Sequence, residues 1–510
     1  MRPAKNMHRH EWLLACLGIT LLAVGFYLTQ MSDGAARDVR LPGSCRAPIR
    51  VLEPRVPRRA GSAVVLHGLS ANRRMMQTAG QWLAALGLRV YLVDFPGHGD
   101  SSEAFSYGRA DQCAAAVLES LVRQGEISPD RTVLVGHSLG GAIAVRLADR
   151  FPAAATLAIS PAPTNLPRRM PANLLIISAQ LDMAMLKDTA HKLLRAAGGE
   201  RVQPEDFRQR RAVRWVEIPR ATHTSLIFDP RVARLFSTWV PEALGGRPTD
   251  GATTPGYAVA GGVLGLAGLL LVFPLAASGA ALVFAARPEG LAFVPRLGAG
   301  AALIRWAIAA LLVVGVLNFW IPLRVLRLLT GAYLASFLLL VGAALLALLW
   351  KEAWTAAWFD GRAMLTAGVL ALVTVVAIGL WLHWRLTDTW PNATRWLRFV
   401  PLVLVCWPYF LAEAVALGPP GRQEGRGGTP RFLLFLAFRL VLWLALVFAL
   451  FAFGSGQILV LLLAVYLMLF AVFERLTSDA VWRRTDSAAA AALFGAILTG
   501  WFLAAVFPLT

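Results

Sequence analysis

From residue 257 onward the chain is an almost unbroken series of apolar segments, roughly 257–286, 301–323, 329–350, 364–384, 397–417, 432–453, 456–475 and 487–508. A helix needs about 20 apolar residues to cross a bilayer core, and each run is long enough. In lipid, every backbone N–H and C=O must find a partner within its own segment, so such runs fold as helices. This half of the chain therefore cannot belong to an ordinary soluble domain. Composition agrees: 57% of residues are hydrophobic and 15% charged, whereas soluble domains carry about a quarter charged residues.

The first ten residues, MRPAKNMHRH, are basic, and Trp12 to Thr29 forms a further apolar run. That run exceeds a usual signal-peptide core of about 7–15 residues, so it reads as an uncleaved signal anchor. With it, the chain has about nine spans. Cationic residues favour cytoplasmic loops. Arg2, Lys5 and Arg9 place the N-terminus inside, and the polar segment after the anchor outside. Alternating the spans then puts Arg287, Arg296, Lys351, Arg362, Arg422, Arg426, Arg431, Arg475, Arg483 and Arg484 inside, and fewer, Arg324, Arg327, Arg385, Arg395 and Arg398, outside. The expectation is a multi-pass protein of the cell membrane, with its polar domain periplasmic in a Gram-negative cell. The net charge of +19 serves this topology. No basic run interleaved with aromatics and no nucleic-acid motif is present, so nucleic acid is not an expected partner.

Residues 1–34 thus form the tail and anchor, 35–245 a polar domain, 246–256 a Gly/Pro/Thr linker and 257–510 the membrane domain. Within the polar domain, short apolar runs at 62–68, 88–95, 132–137, 155–160, 172–178 and 213–219 alternate with helical patterns at 73–86, 111–124 and 183–197. That alternation predicts a mostly parallel sheet covered by helices, an α/β fold. Cys45 and Cys113 both fall here. Exported, they are able to pair; otherwise they are two separate thiols.

The stretch TVLVGHSLGGAIAV carries G-x-S-x-G at Gly136–Gly140, between an apolar strand and a small-residue helix. A tight turn there presents the Ser138 hydroxyl above the strand end. A serine nucleophile needs a base, and the base an orienting acid. Asp182 follows the run at 172–178, and His223 follows the run at 213–219, in the order serine, acid, histidine. Taken singly, Asp182 is a helix N-cap and His223 a surface histidine; in this order they read as a triad. The backbone N–H groups of Leu69 and Leu139 are the expected oxyanion donors. His67, His98 and His137 read as structural. No cofactor or metal is called for.

VVLHG, VYLVDFPGHGDS, VLVGHSLGG, IISAQLD and ATHTSL, in that order over residues 62–240, resemble the α/β-hydrolase superfamily. The resemblance implies Ser138 as nucleophile, His223 as base and Asp182 as orienting acid. Only TNLPRRMP separates LAISPAP from ANLLIIS, so there is no room for the inserted cap found in many relatives. Dehalogenases and epoxide hydrolases of this fold are expected to have Asp at the nucleophile position. The serine therefore favours ester, thioester or amide cleavage, with an ester, lipid or lipid-linked substrate and the bilayer as partners. An acyltransferase using the same triad and a transporter or scaffold with a regulatory hydrolase-like domain are the alternatives.

Within the apolar half, Arg305, Glu413 and Arg439 stand in or near spans. Glu413 and Arg439 either pair or snorkel to the interface. The stretch 380–399, with Trp381, His383, Trp384, Arg385, Trp390, Arg395, Trp396 and Arg398, is either an interfacial belt or a headgroup contact.

Overall fold

The computed structural model describes residues 9–30, 35–41, 45–54, 61–246, 257–284, 298–351, 360–420, 431–454 and 458–510. The linker at 247–256 and Arg2, Lys5, Arg287, Arg296, Arg422 and Arg426 lie outside the described residues. The chain divides into two compact units. A sheet unit takes in Val24–Val263, Trp381–Asn392 and Pro508–Thr510, and a helical unit takes in the chain up to Ala23, Leu264–Leu380 and Ala393–Phe507.

The sheet unit is built on eight strands: β1 (Ala36–Arg40), β2 (Pro48–Leu52), β3 (Ser62–Leu66), β4 (Arg89–Val93), β5 (Thr132–His137), β6 (Ala155–Ile159), β7 (Leu174–Ala179) and β8 (Val213–Ile218). Their order is β1-β2-β4-β3-β5-β6-β7-β8. The six predicted strands, β3 to β8, are parallel, and β1 and β2 add an antiparallel edge. Those six read clearly because both faces are covered, which demands continuous apolar runs. ARDVR of β1 is largely exposed and gives no such signal.

Successive strand residues serve opposite faces. Val65, Leu92, Val135, Leu157 and Ile177 pack with Trp82, Leu83, Phe236 and Trp239; these belong to α2 (Gln77–Ala85) and α7 (Pro230–Ala243). Ala158 and Ile176, one residue out of phase, pack with Val145 of α4 (Leu139–Arg146) and Leu193 of α5 (Ala184–Ala196). Each fully buried aliphatic side chain contributes roughly 1.5–3 kcal/mol. The remaining helices of this unit include α3 (Tyr107–Arg123) and the short α6 (Pro204–Arg208). Cys45 and Cys113 form a disulfide, joining the β1–β2 connection to α3.

α1 (Arg9–Gln30), α8 (Tyr257–Phe284), α9 (Ala299–Phe319), α10 (Gly331–Leu348), α11 (Gly361–Arg385), α12 (Ala393–Leu417), α13 (Arg431–Phe453) and α16 (Ala488–Val506) contain eight stretches long and apolar enough to cross a membrane, among the described residues. The ninth expected span, 456–475, differs. It falls on α14 (Ile458–Leu462) and α15 (Ala464–Thr485), separated at Leu463, and α15 carries Glu474, Arg475 and Asp479. Small residues let these helices approach closely. A Cβ on Gly342 of α10 would stand 2.3 Å from the Tyr409 backbone nitrogen of α12.

Glu413 and Arg439 do pair, at 3.0 Å, in the helical unit. Arg395 and Arg398 are not loop residues, because α12 begins at Ala393. Arg395 donates to the carbonyls of Ala504, Ala505 and Phe507, and Arg398 to those of Leu326 and Thr394. Both guanidinium groups are used in fastening helix ends.

Candidate active site

The parallel register brings the ends of five strands side by side. Leu66 of β3 lies opposite Gly136 of β5, Ile159 of β6 opposite His137, Ile177 of β7 opposite Ile159, and Ala179 opposite Ile218 of β8. Ser138 follows β5, Ser160 follows β6, Asp182 lies three residues beyond β7, and His223 stands in the loop after β8.

Ser138 has φ 53° and ψ −114°, a strained backbone for a residue with a side chain. Its N–H donates to the Ile159 carbonyl at 2.9 Å, and its own carbonyl accepts from Ala142 and Ala162, each at 3.0 Å. The flanking glycines are a steric requirement. A Cβ on Gly136 would stand 2.2 Å from the Gly140 carbonyl oxygen, and one on Gly140 would stand 2.3 Å from the Leu66 carbonyl oxygen. Ser138 is half-buried between buried neighbours.

Asp182 and His223 meet. His223 Nδ1 lies 2.9 Å from Asp182 Oδ1. Asp182 Oδ2 accepts from the Ala179 N–H at 2.9 Å and from the Ser160 hydroxyl. Burial alone would raise the Asp182 carboxyl, but the hydrogen bonds from His223 and Ser160, the charge of His223 and the Ala179 N–H together hold it below its ordinary value. An ionised Asp182 fixes the Nδ1–H tautomer of His223 and leaves its Nε2 lone pair as the basic site. Among the described residues the Ser138 hydroxyl makes no hydrogen bond to His223; catalytic contacts of this kind often tighten only with substrate. The two are linked through His137, whose Nε2 lies 3.0 Å from the His223 carbonyl.

Leu139 opens α4, directly after the serine. Leu69 follows Gly68, and a Cβ on Gly68 would stand 3.1 Å from Ser138 Cβ. The loop after β3 therefore runs against the elbow. His67 holds that loop: its Nε2 accepts from Phe95 N–H at 3.0 Å and its Nδ1 faces the Gly68 carbonyl at 2.7 Å. Burial keeps it neutral, with its pKa pushed down to about 4. Burial, with the neighbouring His223, takes His137 down to about 3. His98 Nδ1 lies 2.9 Å from the Pro96 carbonyl. All three histidines are buried at structural positions.

Sequence reasoning missed Ser160, which sits on the far side of Asp182 from His223, and Asn72, in the loop after β3. Asn72 Oδ1 accepts from the N–H groups of Arg74, Met75 and Asp388, each at 3.1 Å, and its Nδ2 donates to Thr387 Oγ1 at 2.9 Å. Arg73 beside it is buried against Asp94 and Asp100. The Leu509 carbonyl accepts from Phe105 N–H at 2.6 Å, and the Leu509 N–H donates to Gly97 O at 3.0 Å. The loops after β3 and β4 are thus braced by residues more than three hundred positions away in the chain. No short-range pattern announces such partners.

Residues 63–254 match the model of the Alpha/beta hydrolase family. This unit has the α/β-hydrolase fold. The hydrolase unit is 41% identical over 91 residues to a pimeloyl-[acyl-carrier protein] methyl ester esterase of Nitrosospira multiformis, covering 18% of this chain and 34% of that protein. It is 37% identical over 103 residues to an uncharacterized protein of Mycobacterium tuberculosis, covering 20% and 37%. The matches therefore span about a third of the length of these curated relatives. Among solved structures, an α/β serine hydrolase without lid from Xanthomonas campestris aligns at 21% identity over 38% of this chain and 87% of its own, with a TM-score of 0.31.

Proposed function

We propose that the chain is a membrane-anchored serine hydrolase that cleaves carboxylic esters, with Ser138 as nucleophile, His223 as general base and Asp182 as its orienting acid. The observation that carries this reading is the Asp182–His223 hydrogen bond beside a serine in a strained elbow. His223 Nε2 takes the Ser138 proton as Oγ attacks the ester carbonyl. The Leu69 and Leu139 N–H groups receive the developing oxyanion. Collapse expels the alcohol, which takes the proton back from His223 and leaves an acyl-serine. Water, deprotonated by His223, then attacks the acyl carbon; the acid leaves and Ser138 regains its proton.

Only residues 160–173 connect β6 to β7, too few for a cap, which suits a bulky substrate such as a lipid or lipid-linked ester. The name of the Nitrosospira relative points to ester chemistry as well. The Cys45–Cys113 disulfide supports an oxidising compartment for this unit, and hence an extracytoplasmic hydrolase.

The test is turnover of p-nitrophenyl esters of graded chain length by the full chain in detergent, alongside Ser138→Ala and His223→Ala. The wild type is expected to release both acid and p-nitrophenol, and the variants to lose at least about 10³-fold. With a primary alcohol present, products show whether the acyl group passes to water. A new ester replacing the free acid would make the chain an acyltransferase. A properly folded wild type that cleaves no ester would overturn the reading.

A further inference from the structure

Among the charged side chains on the apolar helices of the helical unit, six form one connected cluster: Glu413, Arg431, Arg439, Glu474, Arg475 and Asp479. Arg439 reaches Glu413 at 3.0 Å and Glu474 at 3.4 Å, and Arg475 reaches Glu413 at 3.6 Å and Asp479 at 2.7 Å. Arg431 holds Asp479 through both oxygens. Three acids face three bases, so the cluster is balanced without any further ion. Buried ion networks rarely repay their desolvation in stability, and ionisable groups at membrane depth usually serve a function.

Four atoms of this balanced network have no hydrogen-bond partner among the described residues: Arg475 Nε and Nη2, and, on the pair Glu474 and Arg439, the acceptor Oε1 and the donor Nε–H. Glu474 is 1% exposed. Both residues line a cavity of about 120 Å³ whose other walls include Phe337, Leu442, Leu446 and Phe502. Gly495 lets helix α16 pack closely on the carboxylate, since a Cβ there would stand 2.5 Å from Glu474 Oε1. An apolar cavity of about 150 Å³ accommodates benzene, so this one holds several carbons of an alkyl chain.

We propose that this cavity is a binding site for a neutral alkyl chain ending in a hydroxyl group. The hydroxyl donates to Glu474 Oε1 and accepts from Arg439 Nε–H, satisfying both atoms with one group. An alkane leaves both unpaired, which costs about 1–3 kcal/mol each. A carboxylate brings a negative charge beside Glu474 into a network already balanced. The hydroxyl belongs either to a free fatty alcohol or to an acylglycerol from the bilayer.

The probe is a decanol analogue carrying a diazirine and an alkyne, photolysed with the full chain in nanodiscs. Cross-links are expected within residues 334–338, 439–446 and 467–474. Decanol or a monoacylglycerol should displace the probe, and whichever does so at lower concentration identifies the source. Decane and decanoate should be at least about tenfold weaker. Leu446→Trp fills the cavity without touching the charges. It should cut labelling at least about tenfold while turnover of a soluble ester stays unchanged. Cross-links scattered elsewhere, displacement by decane as good as by decanol, labelling indifferent to Leu446→Trp, or no labelling at all would each overturn the proposal.

Discussion

At the scale of single residues, backbone space decides where chemistry can sit. Gly140 is fixed by the Leu66 carbonyl oxygen 2.3 Å from where its Cβ would be. Gly140→Ala must therefore displace β3 or the elbow, and it is expected to destabilise the hydrolase unit by at least about 2 kcal/mol, measured as a lower urea midpoint for loss of ester turnover. His67 and His137 give a pH signature. Each is held neutral, with folded pKa values of about 4 and about 3 against an ordinary 6.5. The unfolded chain then binds more protons below about pH 6.5, so stability is full above that value and falls on acidification towards pH 4. His67 alone is expected to remove roughly 2 kcal/mol at pH 5, and a His67→Asn variant that still folds should show a flatter midpoint between pH 7 and pH 5. The strand-end places of Ser138, Asp182 and His223, and with them the Asp182–His223 contact, were legible because chain order is a property of the sequence. Ser160 was not, because its partner Asp182 is brought to it by β6 pairing with β7.

At the scale of elements, the six parallel strands were readable from their apolar runs, while the exposed edge strand β1 had no pattern to read. The apolar run expected to span at 456–475 concealed a break at Leu463 and a buried charge cluster on α15, because mean hydropathy averages over such features. Two fasteners follow from the elements as they stand. The Cys45–Cys113 bridge closes a sequence separation of 68, and chain entropy puts its contribution at roughly 4 kcal/mol. Cys45→Ser/Cys113→Ser should lower the urea midpoint, and the wild type from cells should shift mobility on reduction. Asn72 ties the loop before it to Thr387 and Asp388. If the loop after β3 supplies the proposed Leu69 oxyanion donor, Thr387→Ala is expected to lower kcat roughly tenfold with KM little changed, since loosening that donor acts on the transition state. An equal loss in KM alone would mean the contact serves substrate binding instead.

At the scale of the whole molecule, the composition of the hydrolase unit constrains topology. Trp381–Asn392 and Pro508–Thr510 belong to the same unit as Ser138, and we propose that all three lie on one side of the membrane. Counting from α8, the chain is back on that side after α11 and again after α13. For α16 to end there too, one further crossing must fall within α14 and α15. On that reading the chain crosses nine times and its C-terminus is outside. An alkaline phosphatase joined after Thr510 should be active and a fluorescent protein there dark; the reverse would break this count. Whether Ser138 is the nucleophile is read out by a fluorophosphonate probe, which reacts covalently with an activated serine. Applied to the full chain in detergent, the probe should form one phosphonyl adduct, mapped by mass spectrometry to Ser138, and it should be lost in Ser138→Ala and His223→Ala. A folded wild-type chain that takes no label, or takes it on another serine, would contradict the account.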